Sequence, residues 1–147
     1  MNKIVFLVVV CLLMISCKSD DDNRDQNPFL PPSAIGSYQI NLNLPQFKPL
    51  EFSGGFVEDI SNNGSIRGIG IYRLNDTQFI AFDLSDPNVT PSECSRLSVN
   101  GVVATCNCEG CNNEYNIVTG QPSKGGGQYG LRPYAIRREA NILIITD

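Results

Sequence analysis

The feature that most constrains this chain is a clustered set of thiols. Four of its six cysteines, Cys94, Cys106, Cys108 and Cys111, fall within the stretch CSRLSVNGVVATCNCEGCNNEYNIVTG, from Cys94 to Gly120. Apolar residues around Val102 to Ala104 predict a strand, with the cysteines on the loops at its ends. Thiols gathered between strands build either a disulfide clamp or a metal site. The chain has no histidine. That excludes a Ser-His-Asp triad, histidine-dependent zinc sites and histidine general bases together.

The N-terminal segment places the thiols in a compartment. Lys3 gives a short positive start, Ile4 to Ile15 is an apolar run too short to span a bilayer comfortably, and the small residue Ser16 ends it. Residues 1–16 therefore read as a signal peptide. Met14-Ile15-Ser16-Cys17 resembles the lipobox of bacterial lipoproteins, with Met14 standing where leucine is usual. The resemblance implies acylation of the Cys17 sulfur and a protein anchored to the membrane through lipid. Lys18-Ser19-Asp20-Asp21-Asp22 resembles the acidic export signal of Bacteroidetes surface lipoproteins, which implies an outer-membrane protein exposed at the cell surface. Charge and the prolines Pro28, Pro31 and Pro32 oppose packing, so residues 17–35 are expected to form a flexible tether.

The 147 residues are 41% hydrophobic and 18% charged, enough for one small domain, expected over residues 36–147. Loss of Lys3 with the leader takes Lys+Arg from 11 to 10 against 15 Asp+Glu, a formal charge of −5. An acidic chain without a basic patch is a poor nucleic-acid binder.

Period-two alternation marks strands along that domain. Tyr38, Ile40, Leu42 and Leu44 alternate with Gln39, Asn41 and Asn43. Leu50 and Phe52 are expected to begin a second strand, bent at Gly54-Gly55. Asn62-Asn63-Gly64 and Asn100-Gly101 have the pair favoured in tight hairpins. Gly68 to Leu74 and Gln78 to Asp83 predict two further strands, with core from Ile69, Ile71, Tyr72, Phe79, Ile80 and Phe82. Tyr134 and Ile136 mark another, and the apolar run Ile142 to Ile145 reads as a central one. Gly125-Gly126-Gly127 reads as a flexible surface loop, since it lacks the setting of a phosphate loop. No helix is expected. Short strands with closely spaced turn signals predict an all-β, antiparallel sandwich or barrel.

The order of landmarks from Gly68 to Thr146 is similar to the Rieske iron–sulfur domain. Asp86-Pro87-Asn88 falls where that family has Cys-Pro-His, and Cys106-Asn107-Cys108-Glu109-Gly110 where it has Cys-Pro-x-His-Gly. Tyr115 and Thr119-Gly120 match the aromatic and the turn beyond. The family holds its cluster with two cysteines on one iron and two histidines on the other. On this register the degenerate ligand positions are Asp86, Asn88, Cys106 and Glu109. A two-residue shift instead aligns Cys108 with the ligand cysteine and Cys111 with the histidine. Either register keeps the scaffold and departs from the family at its chemistry.

With Cys17 acylated, four thiols remain outside the cytoplasm, where they oxidise. Two disulfides are the simplest outcome, and four cysteines allow three connectivities. The resemblance implies a counterpart to the respiratory-type disulfide between the cluster loops, Cys94 with Cys108, leaving Cys106 with Cys111. A structural zinc on the same four cysteines is the second reading, since Cys108-Glu109-Gly110-Cys111 has tetrahedral-site spacing. A [2Fe–2S] cluster with altered ligands, serving electron transfer, is the third. A thiol–disulfide exchanger using Cys108 and Cys111 is disfavoured, because Arg96 is the only basic residue between Cys94 and Cys111 to lower a thiol pKa. The sequence thus reads as a surface-anchored binding or structural module without a cofactor, its partner an envelope protein, a glycan or a sister lipoprotein.

Overall fold

The structure, a computed structural model, describes residues 27–147. The leader, Cys17 and Asp20 to Asp22 lie outside the described residues. Ten strands and one 3-10 helix follow in the order β1 (Ser37–Asn41), the helix (Pro45–Glu51), β2 (Phe56–Asp59), β3 (Ile69–Arg73), β4 (Phe79–Asp83), β5 (Ser98–Asn100), β6 (Val103–Thr105), β7 (Glu114–Asn116), β8 (Pro122–Lys124), β9 (Pro133–Glu139) and β10 (Ile142–Thr146). They form a six-stranded sheet of order β1-β10-β9-β4-β3-β2 and a four-stranded sheet of order β5-β6-β7-β8. Every strand pairing is antiparallel. The small sheet is inserted between β4 and β9. The apolar run Ile142 to Ile145 is internal, flanked by β1 and β9.

The β3–β4 hairpin divides two cores. Ile69 and Ile71 of β3 and Ala81 of β4 face a core completed by Ile40, Phe47, Leu50, Tyr134, Leu143 and Ile145. Tyr72 and Phe82 face the other side, where the small sheet brings Leu97, Ala104, Tyr115 and Ile117. A hairpin buried on both faces has no reason to alternate polar with apolar, and its residues from Ile69 to Tyr72 are all buried. Gly70 stands opposite Phe82 in the register. A Cβ there would lie 2.7 Å from the Phe82 ring, so glycine makes room for the aromatic of the second core.

The structure corrects the sequence reading at several places. Leu50 does not begin a strand. Pro45 supplies the helix start, and Phe47 and Leu50, three apart, both bury on the face that a three-residue turn repeats. The expectation of no helix fails for this reason. Phe52 is left 71% exposed. β1 stops at Asn41, whose side chain accepts from Asn43 N at 2.9 Å and turns the chain before Leu44. Asn62-Asn63-Gly64 is not a two-residue hairpin, because β2 ends at Asp59 and β3 begins at Ile69. Asn63 is buried there, donating to Asp59 O at 3.2 Å and accepting from Ser65 N at 3.1 Å. At Asn100-Gly101 the hairpin is tight, with Asn100 opposite Val103 and Gly101 at φ 59.

Residues 27–35, the C-terminal part of the expected tether, pack against the domain. Asn27 donates to Pro87 O at 2.7 Å, Arg132 donates to Pro31 O at 2.6 Å, and Ala34 N donates to Gly64 O at 3.3 Å. Leu30 and Ile35 are buried, and Phe29 meets Tyr129 edge to face. Two apolar anchors and three hydrogen bonds outweigh the local effect of the prolines, whose missing N–H groups leave nothing unsatisfied.

The β9–β10 hairpin carries a strained residue. Glu139 pairs with Ile142, so Ala140 and Asn141 form the turn, and Ala140 has φ 52. An alanine Cβ in the left-handed region costs about 1 kcal/mol relative to glycine. Ala140→Gly is therefore expected to stabilise the protein by roughly 0.5–1 kcal/mol. A rise in the urea midpoint at unchanged slope checks this; no change or a fall contradicts it.

Candidate functional site

Three loops meet at the end of the second core: Leu84 to Arg96 after β4, Cys106 to Asn113 between β6 and β7, and Gly125 to Gly130 after β8. The first loop starts at a buried carboxylate. Asp83 accepts from Ile66 N, Ser85 N and the Tyr134 hydroxyl, each at 2.7 Å. Within the loop, the Ser95 hydroxyl donates to Ser92 O and accepts from Ser92 N, both at 2.9 Å. The Arg67 guanidinium also donates to Ser92 O. Asp86 N donates to Ser95 O at 2.8 Å, which pins the loop's two arms together.

Asp86 is fully buried and gathers donors from the second loop and its strand. Its Oδ1 accepts from the Tyr115 hydroxyl at 2.6 Å and from Asn88 N at 2.8 Å. Its Oδ2 accepts from Asn113 Nδ2 at 3.2 Å. Asn88 does the same work toward the third loop. Its Oδ1 accepts from Gln128 N at 2.8 Å and Tyr129 N at 3.0 Å, while its Nδ2 donates to Tyr129 O at 2.8 Å and to the Tyr115 hydroxyl at 2.9 Å. All four hydrogen-bonding positions of that amide are used. The expectation of a merely flexible Gly125-Gly126-Gly127 is corrected here. A Cβ on Gly127 would lie 2.7 Å from Asn88 Nδ2, so the glycine run lets backbone close over the amide.

The cysteines supply the covalent part. Of the three connectivities, the structure holds Cys94–Cys108, with Cα atoms 4.8 Å apart, and Cys106–Cys111, with Cα atoms 6.0 Å apart. The first ties loop one to loop two. The second closes loop two on itself, assisted by Cys106 N donating to Asn113 O at 3.0 Å. Cys94 is exposed and Cys106 is buried. Asp86, Cys106 and Cys111 converge, their ligand-type atoms all within 4.8 Å of one another. Cys111 Sγ lies 3.6 Å from Asp86 Oδ2. A half-cystine sulfur carries no proton, so this is a contact and not a hydrogen bond. Glu109 is exposed on the rim of loop two, apart from this cluster.

The structure thus brings Asp86, Asn88 and Cys106 together and leaves Glu109 outside. Asn113 and Tyr129 are site residues that the sequence did not single out, and Gly127 was read there only as part of a surface loop. Asn113 carried a weak signal, lying just beyond the last cysteine. The donor set does not fit an iron–sulfur cluster of the Rieske kind. There is no imidazole in the chain, the Asn88 amide and Asp86 Oδ1 are spent on hydrogen bonds, and all four thiols are paired.

Both tyrosines at the buried carboxylates hold their protons tightly. Burial raises the Tyr115 pKa above the ordinary phenol value, and the hydrogen bond to Asp86 raises it further. Burial likewise raises Tyr134, followed by the Asp83 charge. A folded-state pKa above the unfolded one means that the stability these groups lend is complete below about pH 10 and is lost as the pH climbs beyond it. Alkaline unfolding should therefore accompany ionisation of these two phenols. Of the five tyrosines, Tyr115 and Tyr134 should ionise only in the step that abolishes the β circular dichroism. Ultraviolet titration of the parent and of Tyr115→Phe and Tyr134→Phe variants checks this. Ionisation of all five near pH 10 with the fold intact would contradict it.

No protein-family model and no curated protein matches the chain. Among solved structures, one similar chain belongs to a complex of reduced oxygenase and oxidized ferredoxin in carbazole 1,9a-dioxygenase. It is 14% identical, with a TM-score of 0.51 over 77% of this chain and 94% of that one. A second, described as a putative nitrite reductase NADPH small subunit, is 14% identical with a TM-score of 0.42 over 75% of this chain and 99% of that one. At such identities the likeness is one of fold, and the fold is the all-β, antiparallel architecture of Rieske-like type.

Proposed function

We propose that this protein is a lipid-anchored, surface-exposed lipoprotein of the outer membrane whose Rieske-like domain works without an iron–sulfur cluster, as a binding or structural module. One observation carries the cluster-free part: the side chains at the ligand positions are committed elsewhere. Asp86 and Asn88 are the hydrogen-bonded hubs of three loops, and Cys106 is joined to Cys111. A cluster would cross-link loops one and two through metal. The Cys94–Cys108 disulfide cross-links the same two loops, so the scaffold can stand without the cofactor. The anchoring part rests on Met14-Ile15-Ser16-Cys17 and on Asp20 to Asp22. The partner is an envelope protein or a glycan.

Two measurements test the reading. Protein isolated from its native envelope without air should be colourless and free of stoichiometric iron and sulfide. Paired replacement of Cys94 and Cys108 by serine should lower the melting temperature by roughly 8–16 °C, the effect of removing a bridge that contributes about 2–4 kcal/mol, and leave the visible spectrum unchanged. Bound iron and sulfide would overturn the cluster-free reading in favour of electron transfer. For the anchor, Cys17→Ala should leave the precursor uncleaved or release the mature chain from membranes. Mature protein that stays firmly membrane-bound after this change contradicts lipidation at Cys17.

A further inference from the structure

The Cys106–Cys111 disulfide does not face apolar core alone. Asp86 Oδ2 lies 3.6 Å from Cys111 Sγ, and the carboxylate and both sulfurs sit within 4.8 Å of one another. In a tetrahedral zinc site, bonds of about 2.3 Å to sulfur and 2.0 Å to oxygen set ligand atoms roughly 3.5 Å apart. The sulfur–oxygen pair already has that spacing. The carboxylate is also asymmetric. Its Oδ1 accepts from Tyr115, from Asn88 N and at 3.4 Å from Asn113, whereas Oδ2 keeps one hydrogen bond, from Asn113 at 3.2 Å. A ligating carboxylate needs such an arrangement, with one oxygen oriented by neighbours and the other turned to the ion.

We propose that reduction of Cys106–Cys111 turns this corner into a mononuclear site for zinc(II), with Cys106, Cys111 and Asp86 as ligands and solvent in the fourth position. The proposal rests on the cluster-free reading. The step balances with a dithiol as reductant: it gives two electrons and two protons, leaves as its own disulfide, and Cys106 and Cys111 become thiols. Zinc then displaces both thiol protons to solvent and binds the two thiolates and the carboxylate. Thiolate and carboxylate ligands in a three-plus-solvent set suit a borderline-soft ion of this kind. A groove of about 540 Å³, lined in part by Asn88, Cys108, Glu109, Cys111 and Asn113, reaches the corner at Cys111 and offers an ion an approach from that side. The exposed carboxylate of Glu109 stands at its rim and favours a cation there.

The test uses the full mature chain and cobalt(II) as a spectroscopic stand-in for zinc. Oxidised protein should give no thiolate-to-cobalt charge-transfer band. Protein reduced with a phosphine, its freed thiols counted, should give that band, saturating at one equivalent and abolished by zinc. Cadmium in place of cobalt should report a mixed sulfur and oxygen set by its nuclear resonance. Tyr115→Phe, which frees Asp86 Oδ1, should weaken cobalt binding by roughly 10–100-fold without changing the thiol count. Reduced protein with counted thiols and no charge-transfer band overturns the proposal. So does a four-sulfur cadmium signal, unchanged affinity in Asp86→Asn, or a reduced protein that unfolds and is not restored by zinc. Iron and sulfide in the protein as isolated would instead sink the cluster-free reading, a separate readout.

Discussion

The loop end of this protein depends on the burial of one carboxylate. Asp86 has no solvent exposure, and among the described residues no cation pairs with it. A carboxylate in that position is costly unless donors surround it, and here they come from its own loop, from Asn113 and from Tyr115. Separating the first loop from the second would strip the carboxylate of the Asn113 and Tyr115 donors without giving it water at once. Asn88 extends the same constraint to the third loop through backbone groups of Gln128 and Tyr129. The disulfides make the arrangement covalent, but the polar network decides which atoms face which.

The rest of the fold exists to present that network. The chain leaves the large sheet at the end of β4 and re-enters it at β9, and everything between forms the small sheet and the three loops. Phe82, Leu84 and Tyr115 bind the excursion to the large sheet from one side, while Ile69, Ile71 and Ala81 serve the other core. Gly70 is the point where both requirements meet in one residue. Its missing side chain lets the Phe82 ring lie across β3.

Much of the fold was legible because strands bury alternate residues or, when internal, whole runs. Ile142 to Ile145 and the Gly68 to Asp83 region read correctly for that reason. The segment from Pro45 to Glu51 did not, because Leu50 and Phe52 are two apart and mimic a strand, while the real buried pair is Phe47 and Leu50. At the site, the cysteines announced their convergence, and the resemblance marked Asp86 and Asn88 as special positions. Neither showed what those side chains do. A buried aspartate held by a tyrosine 29 residues away leaves no local trace, because hydrogen-bond partners distant in sequence have no spacing rule. The glycine run was misleading for the opposite reason. Glycine permits both floppiness and close contact, and only the neighbouring Asn88 tells which applies.

The strap from Asn27 to Ile35 has a mechanical meaning. Any pull applied through the residues ahead of Asn27 enters the domain as a load on single contacts in series: the Asn27 amide on Pro87, the ring of Phe29 on Tyr129, then Leu30 in its pocket and the Arg132 bond to Pro31. Contacts in series yield one at a time, each at low force, whereas the ladder between β1 and β10 shares its load over five residue pairs. The strap is thus a shock absorber. Such a pull would peel it from the first loop long before the sheet felt tension, uncovering the Pro87 carbonyl beside Asn88.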